Sequence, residues 1–86
     1  MKVRTFRDLI AWQKGKALAK AVYVATRAMP NSERFGLTNQ MRRAAISIPS
    51  NIAEGHARQS RLDYLKFLRV LQGLIRSLEN KQIASS

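Results

Sequence analysis

The chain has no cysteine, which excludes a disulfide framework and any thiolate metal site and fits a reducing compartment. It has one histidine and only five acidic residues, against sixteen Lys and Arg, for a net charge of +11. Glycine and proline are scarce, at four and two residues, so few positions break a regular element. No segment approaches the roughly 18 uninterrupted apolar residues of a membrane span. The first fifteen residues carry Lys2, Arg4, Arg7 and Lys14 where a secretory signal would have an apolar core. The default compartment is therefore the cytoplasm. No run alternates apolar and polar residues in the manner of a strand, and neither an internal repeat nor a low-complexity tract is present. Eighty-six residues make one domain, 1–86, small enough to lean on oligomerisation for stability.

What is abundant is positive charge. Ten of the sixteen cations are arginine, the better bidentate partner for phosphate. So lopsided a balance points to a polyanion as partner. Solubility alone and an anionic membrane surface are the competing explanations.

Apolar periodicity predicts an all-α fold of three long helices, about 6–28, 37–55 and 61–81. Thr5 can cap the first, with Asp8 three residues later in a variant of the capping box. At about 100° per residue, Ala11, Gly15, Leu18, Val22, Ala25 and Met29 fall on one line flanked by Trp12, Ala19 and Tyr23. Gln13, Lys16, Lys20 and Arg27 fall opposite. Pro30-Asn31-Ser32 should end this helix, with Glu33 opening a short connection. The second helix has the apolar line Leu37, Met41, Ala44, Ala45, Ile48 and Ile52. Its phase is unbroken through Pro49, which predicts one kinked helix, with Ser47 and Ser50 satisfying freed backbone groups. Its other face is a polar seam: Gln40, Arg43, Ser47, Asn51 and Glu54. The seam is either a solvated face or an oligomer or helix interface that sets register. Gly55 suits the C′ position, and Ser60 with Asp63 reads as the next N-cap. In the third helix Tyr64, Phe67, Leu68, Leu71, Leu74, Ile75 and Leu78 make a stripe wider than one neighbour can cover. Lys66, Arg69, Gly73, Arg76 and Asn80 face the other way, and Ala84-Ser85-Ser86 reads as a frayed tail. Helices of about 20 residues joined by short connections form an up-and-down antiparallel bundle.

Nothing here assembles catalytic chemistry. His56 lies in a basic connection. Asp8, Glu33 and Asp63 are accounted for by helix starts, Glu79 stands alone, and Glu54 reads as a partner for Ser50, Asn51 or Arg58. There is no di-iron Glu-x-x-His pattern, no phosphate loop and no nucleophile elbow. The expectation is a protein that is not an enzyme, with no metal, cofactor or small-molecule substrate. The candidate phosphate contacts are Lys16, Lys20 and Arg27 on the first helix, Arg58 and Arg61 at the mouth of the third, and Lys66, Arg69 and Arg76 along it. Trp12, Tyr23, Tyr64 and the three Phe lie mostly on core stripes, so base stacking is not indicated.

The run Phe35-Gly36-Leu37-Thr38-Asn39-Gln40-Met41-Arg42-Arg43-Ala44-Ala45-Ile46-Ser47-Ile48-Pro49-Ser50-Asn51-Ile52-Ala53-Glu54-Gly55 closely resembles the signature of the four helix bundle protein family. That family is also named for the intervening sequences of bacterial large-subunit ribosomal RNA genes. Phe6-Arg7-Asp8-Leu9-Ile10-Ala11-Trp12-Gln13-Lys14 and Tyr64-Leu65-Lys66-Phe67-Leu68 match it as well. The resemblance covers about residues 3 to 72. It implies a truncated four-helix-bundle type of fold and assembly into a ring, typically a pentamer. A related branch, the accessory proteins of diversity-generating retroelements, is a basic barrel that binds reverse transcriptase and its RNA. The chain departs from the family by being short of about one helical hairpin. The end of the third helix and most of the fourth look deleted, with the flanks joined near Gln72-Gly73.

Charge and resemblance together set two functional expectations. The first is a basic helical scaffold, a homo-oligomer, that binds RNA or an RNA-protein complex through phosphate contacts. The second is an interaction module that docks a protein such as a reverse transcriptase without touching nucleic acid.

Overall fold

The computed structural model describes residues 4–29 and 34–85. Among them the chain is helical, without strands: α1, Phe6–Arg27; a π-helical turn, Arg34–Thr38, that runs into α2, Asn39–Ala53; and α3, Ala57–Ser85. Thr5 is extended and its Oγ1 accepts from the Asp8 N–H at 3.1 Å, which caps α1. The Asp8 carboxylate reaches back to the N–H of Arg4, at 3.3 Å, one residue beyond the usual capping box. The expected stop at Pro30-Asn31-Ser32, and Glu33, lie outside the described residues.

α2 continues through Pro49. The Ser47 and Ser50 hydroxyls donate to the carbonyls of Arg43 and Ile46, each at 2.9 Å. They do not serve the freed Ala45 carbonyl, as the sequence had suggested. A helical serine reaches the carbonyl four residues back, and the residue four beyond Ala45 is the proline itself. The C-terminus of α2 is a Schellman motif: the Gly55 N–H donates to Ile52 at 3.0 Å and the His56 N–H to Asn51 at 2.7 Å. Gly55 has φ 82°, a conformation that a Cβ would strain.

That tight turn leads into α3 four residues earlier than expected. Ser60 is not an N-cap. Its N–H donates to the His56 carbonyl at 3.0 Å, inside the helix, and its buried hydroxyl donates to the Ile48 carbonyl of α2 at 2.8 Å. Asp63 accordingly is not a capping-box acid but accepts from Asn51 Nδ2 at 2.6 Å and Gln59 Nε2 at 3.2 Å. Ala84 and Ser85, expected to fray, continue the helix.

α2 is the central rod; α1 and α3 pack on it far more than on each other. Gly15 meets Pro49 while Arg42 reaches Thr26, and Ser60 meets Ile48 while Gly73 approaches Leu37. Both pairs are therefore antiparallel, and the molecule is a rod of 51 × 20 × 18 Å. The core is Val22, Met41, Ala44, Ala45, Ile48, Ile52, Phe67, Val70 and Leu74. Because α1 has one neighbour, only the arc around Gly15, Val22 and Thr26 is buried. Ala11 and Ala25, on the predicted core line, are exposed, as is Tyr23, whereas Thr26 is fully buried.

The same arithmetic leaves part of α3 bare. Phe67, Val70 and Leu74 are buried, while Tyr64, Leu68 and Ile75 of the same stripe are 47%, 37% and 46% exposed. Between the first halves of α1 and α3 an open groove of about 490 Å³ runs over Ile48 and Ile52, at the place where a fourth helix would close a bundle.

Candidate nucleic-acid interface

The eight candidate phosphate-binding cations are all exposed: Lys16, Lys20 and Arg27 on α1, and Arg58, Arg61, Lys66, Arg69 and Arg76 on α3. The helical phase explains why. Lys20 and Arg27 lie about 120° from the buried arc of α1, and Arg58 and Arg76 about 160° from the Phe67–Leu74 line of α3. They do not form one patch. Lys16 lies beside α2 in a shallow hollow with Pro49 and Ala53, on the side of α1 away from the groove, and its ammonium stacks 4.2 Å from the centre of the Trp12 ring. Arg61 sits on the rim of the groove with Arg7 and Lys14. The cations thus lie along both outer helices, and on the groove side Arg61 of α3 shares one rim with Arg7 and Lys14 of α1. From Arg58 to Arg76 the α3 row spans about 27 Å at ~1.5 Å per residue.

Four acids lie among the described residues. Asp8 is held at the start of α1 and Asp63 by Asn51 and Gln59. Glu54 and Glu79 are exposed. Glu54 does not pair with Ser50, Asn51 or Arg58. Ser50 is turned to its own helix and Asn51 is taken by Asp63.

Of the proposed polar seam, Gln40, Arg43 and Glu54 are exposed, and Ser47 is turned back on its own helix. Asn51 alone crosses to another helix, through its bond to Asp63. The cation that sequence reasoning missed is Arg42. It is half-buried, its Nε donates to the Thr26 hydroxyl at 2.7 Å, and its guanidinium lies 4.8 Å from the Tyr23 ring centre. Thr26 in turn donates to the Val22 carbonyl at 2.7 Å. Arg42 is a strut between α1 and α2. The signal was available: Arg42 follows Met41 on the edge of the buried line, where a long side chain lies along apolar surface with its head at a polar partner.

The described residues hold no group of three His, Cys, Asp or Glu side chains able to bind a metal ion. No described helix is long and apolar enough to cross a membrane. The described geometry places exposed cations along both outer helices, a disposition that suits contact with phosphates. Comparison with protein families agrees with the resemblance in the central run: residues 7–82 match the 23S rRNA-intervening sequence protein family. The chain belongs to that family. No curated protein and no solved structure matches it.

Proposed function

We propose that this intervening-sequence protein is a non-enzymatic basic scaffold that binds RNA, alone or in an RNA-protein complex, through phosphate contacts. One observation carries the reading: in a chain of net charge +11, the cations Lys16, Lys20, Arg27, Arg58, Arg61, Lys66, Arg69 and Arg76 all face solvent on the two outer helices. The sequence pattern put most aromatics on core stripes, but Phe6, Tyr23 and Tyr64 are 77%, 37% and 47% exposed, while Trp12 is half-buried beneath Lys16.

Copies of the protein would meet on the outward line of α1. Phe6, Ile10, Ala17, Ala21 and Val24 are exposed there and carry no charge. It is a surface on which two such basic chains can approach without opposing like charges. The solution mass tests this: a dimer or higher assembly that Val24→Glu dissociates supports it, and a monomer rejects it.

The RNA reading is tested by titrating a labelled, structured RNA with the wild type and with the Lys66→Glu, Arg69→Glu, Arg76→Glu triple variant. Charge reversal should cost at least tenfold in affinity with helicity unchanged. Undiminished binding by the variant, or no binding by the wild type, rejects the reading.

A further inference from the structure

The groove between α1 and α3 has a composition of its own. Its floor is Ile48 and Ile52, its walls include Leu18 and Tyr64, and its rim carries Arg7, Lys14 and Arg61. The rim also carries one acid, Asp8, whose carboxylate accepts from the Arg4 N–H at the start of α1. The apolar lining does not end with the groove, since Leu68 and Ile75 follow Tyr64 on the same side of α3, at 37% and 46% exposed. From Tyr64 to Ile75 this line runs about 16 Å at ~1.5 Å per residue, or three turns of a docked helix.

Both the length and the shape are those of a helix-in-groove site, and the charge decides what helix it takes. A second copy would offer α1, with five cations and one acid, or α3, with six cations and two acids. Even the uncharged outward line of α1 brings almost no carboxylates to pair with Arg7, Lys14 and Arg61. We propose that the groove is the docking site for an amphipathic helix of a different protein. That helix has apolar residues at i, i+3 or i+4 and i+7 facing Ile48, Ile52, Tyr64 and Leu68. Acidic residues flank this line and pair with Arg7 and Lys14 on one rim and Arg61 on the other. The incoming helix completes the bundle as its fourth member. The site shares only Arg61 with the proposed phosphate contacts, and the variants below leave Arg61 in place, so it does not rest on the RNA reading.

The probe is a fluorescein-labelled synthetic helix of about 18 residues, with leucines on one stripe and glutamates beside it, read by anisotropy. The controls are the same peptide with its glutamates replaced by lysine, and a scrambled peptide of equal charge. The acidic amphipathic peptide should bind at least tenfold more tightly than either control. Tyr64→Glu and, independently, Leu68→Glu should each weaken it at least tenfold. Both positions are substantially exposed, and circular dichroism checks that each variant stays folded. Lys14→Glu should weaken it severalfold. The Lys66, Arg69, Arg76 charge-reversal variant should keep peptide binding, and Tyr64→Glu should keep RNA binding, so the two readings fail separately. Equal binding of the scrambled peptide would reduce the site to bulk charge and overturn the proposal. Equal binding of the lysine peptide, or an oligomer that Tyr64→Glu dissociates, would overturn the charge argument and give the groove to a second copy.

Discussion

The two long seams of α2 are built on opposite principles. Against α1 the contact is made by what is missing: Gly15 has no side chain, and a Cβ built there would stand 3.3 Å from Pro49 Cβ and 3.4 Å from Ile48 Cγ2. Ala45, between the two rods, is fully buried, and Arg42 reaches across to Thr26. Against α3 the contact is made by bulk, since Phe67, Val70 and Leu74 enter the core cluster with Met41 and Ala44. Polar stitches from Ser60 and Asn51 fix its register. The first seam should be intolerant of added volume and the second of removed volume, which is what close packing of small residues and burial of large ones respectively imply.

The largest effect should come from the bulky seam. Leu74 is 2% exposed, and Leu74→Ala should cost about 2–5 kcal/mol in urea unfolding, a large part of the stability of a domain this size. A cost under about 1 kcal/mol would mean that α3 is not anchored there. On the close seam Gly15→Val should cost about 1–3 kcal/mol from overpacking against the Pro49 ring. Gly15→Ala should lie near zero, because a helix-propensity gain of about 1 kcal/mol is offset by the same tight contact. If both substitutions stabilise, the seam is looser than the contact distances imply. Ser60→Ala, which leaves the Ile48 carbonyl without its interhelical donor, should cost about 1 kcal/mol.

The smallest effect has the opposite sign. Thr38 is fully buried and its hydroxyl has no hydrogen-bond partner. Thr38→Val keeps the shape and removes an unsatisfied group, so it should raise stability by up to about 1 kcal/mol. A loss of the same size in the melting profile would show that the hydroxyl has a partner after all.

Much of this was legible in the residues. Unbroken phase through Pro49, Thr5 with Asp8 at the start of α1, and Gly55 past the end of α2 are local signals, and the local backbone obeys them. The uncovered stripe on α3 was legible too, because Tyr64 to Leu78 is wider than one helix can bury. What was not legible depended on neighbours. Ser60 has the chemistry of a cap, but the Schellman turn before it starts α3 early and delivers its hydroxyl to α2. Ala11 and Ala25 share a phase with Val22, yet α1 has a neighbour on one side only, so their side of the line stays open. Arg42 was given no role by the sequence pattern, since only the antiparallel register sets its guanidinium beside Thr26 and Tyr23. In the candidate site, periodicity placed the eight cations outward one helix at a time. That Arg61 shares a groove rim with Arg7 and Lys14 while Lys16 lies on the other side of α1 follows from how the helices pack, which single-helix phase does not contain.

The central claim is that the outward cations of α1 and α3 engage phosphates, and its most direct measurement is the salt dependence of RNA affinity. With log affinity plotted against log salt, each phosphate contact contributes a slope of about −0.7 to −0.9. Neutralising Lys66, Arg69 and Arg76 together to glutamine should therefore flatten the slope by about 2 to 3. A wild-type slope near zero, or one the triple variant leaves unchanged, would contradict the account.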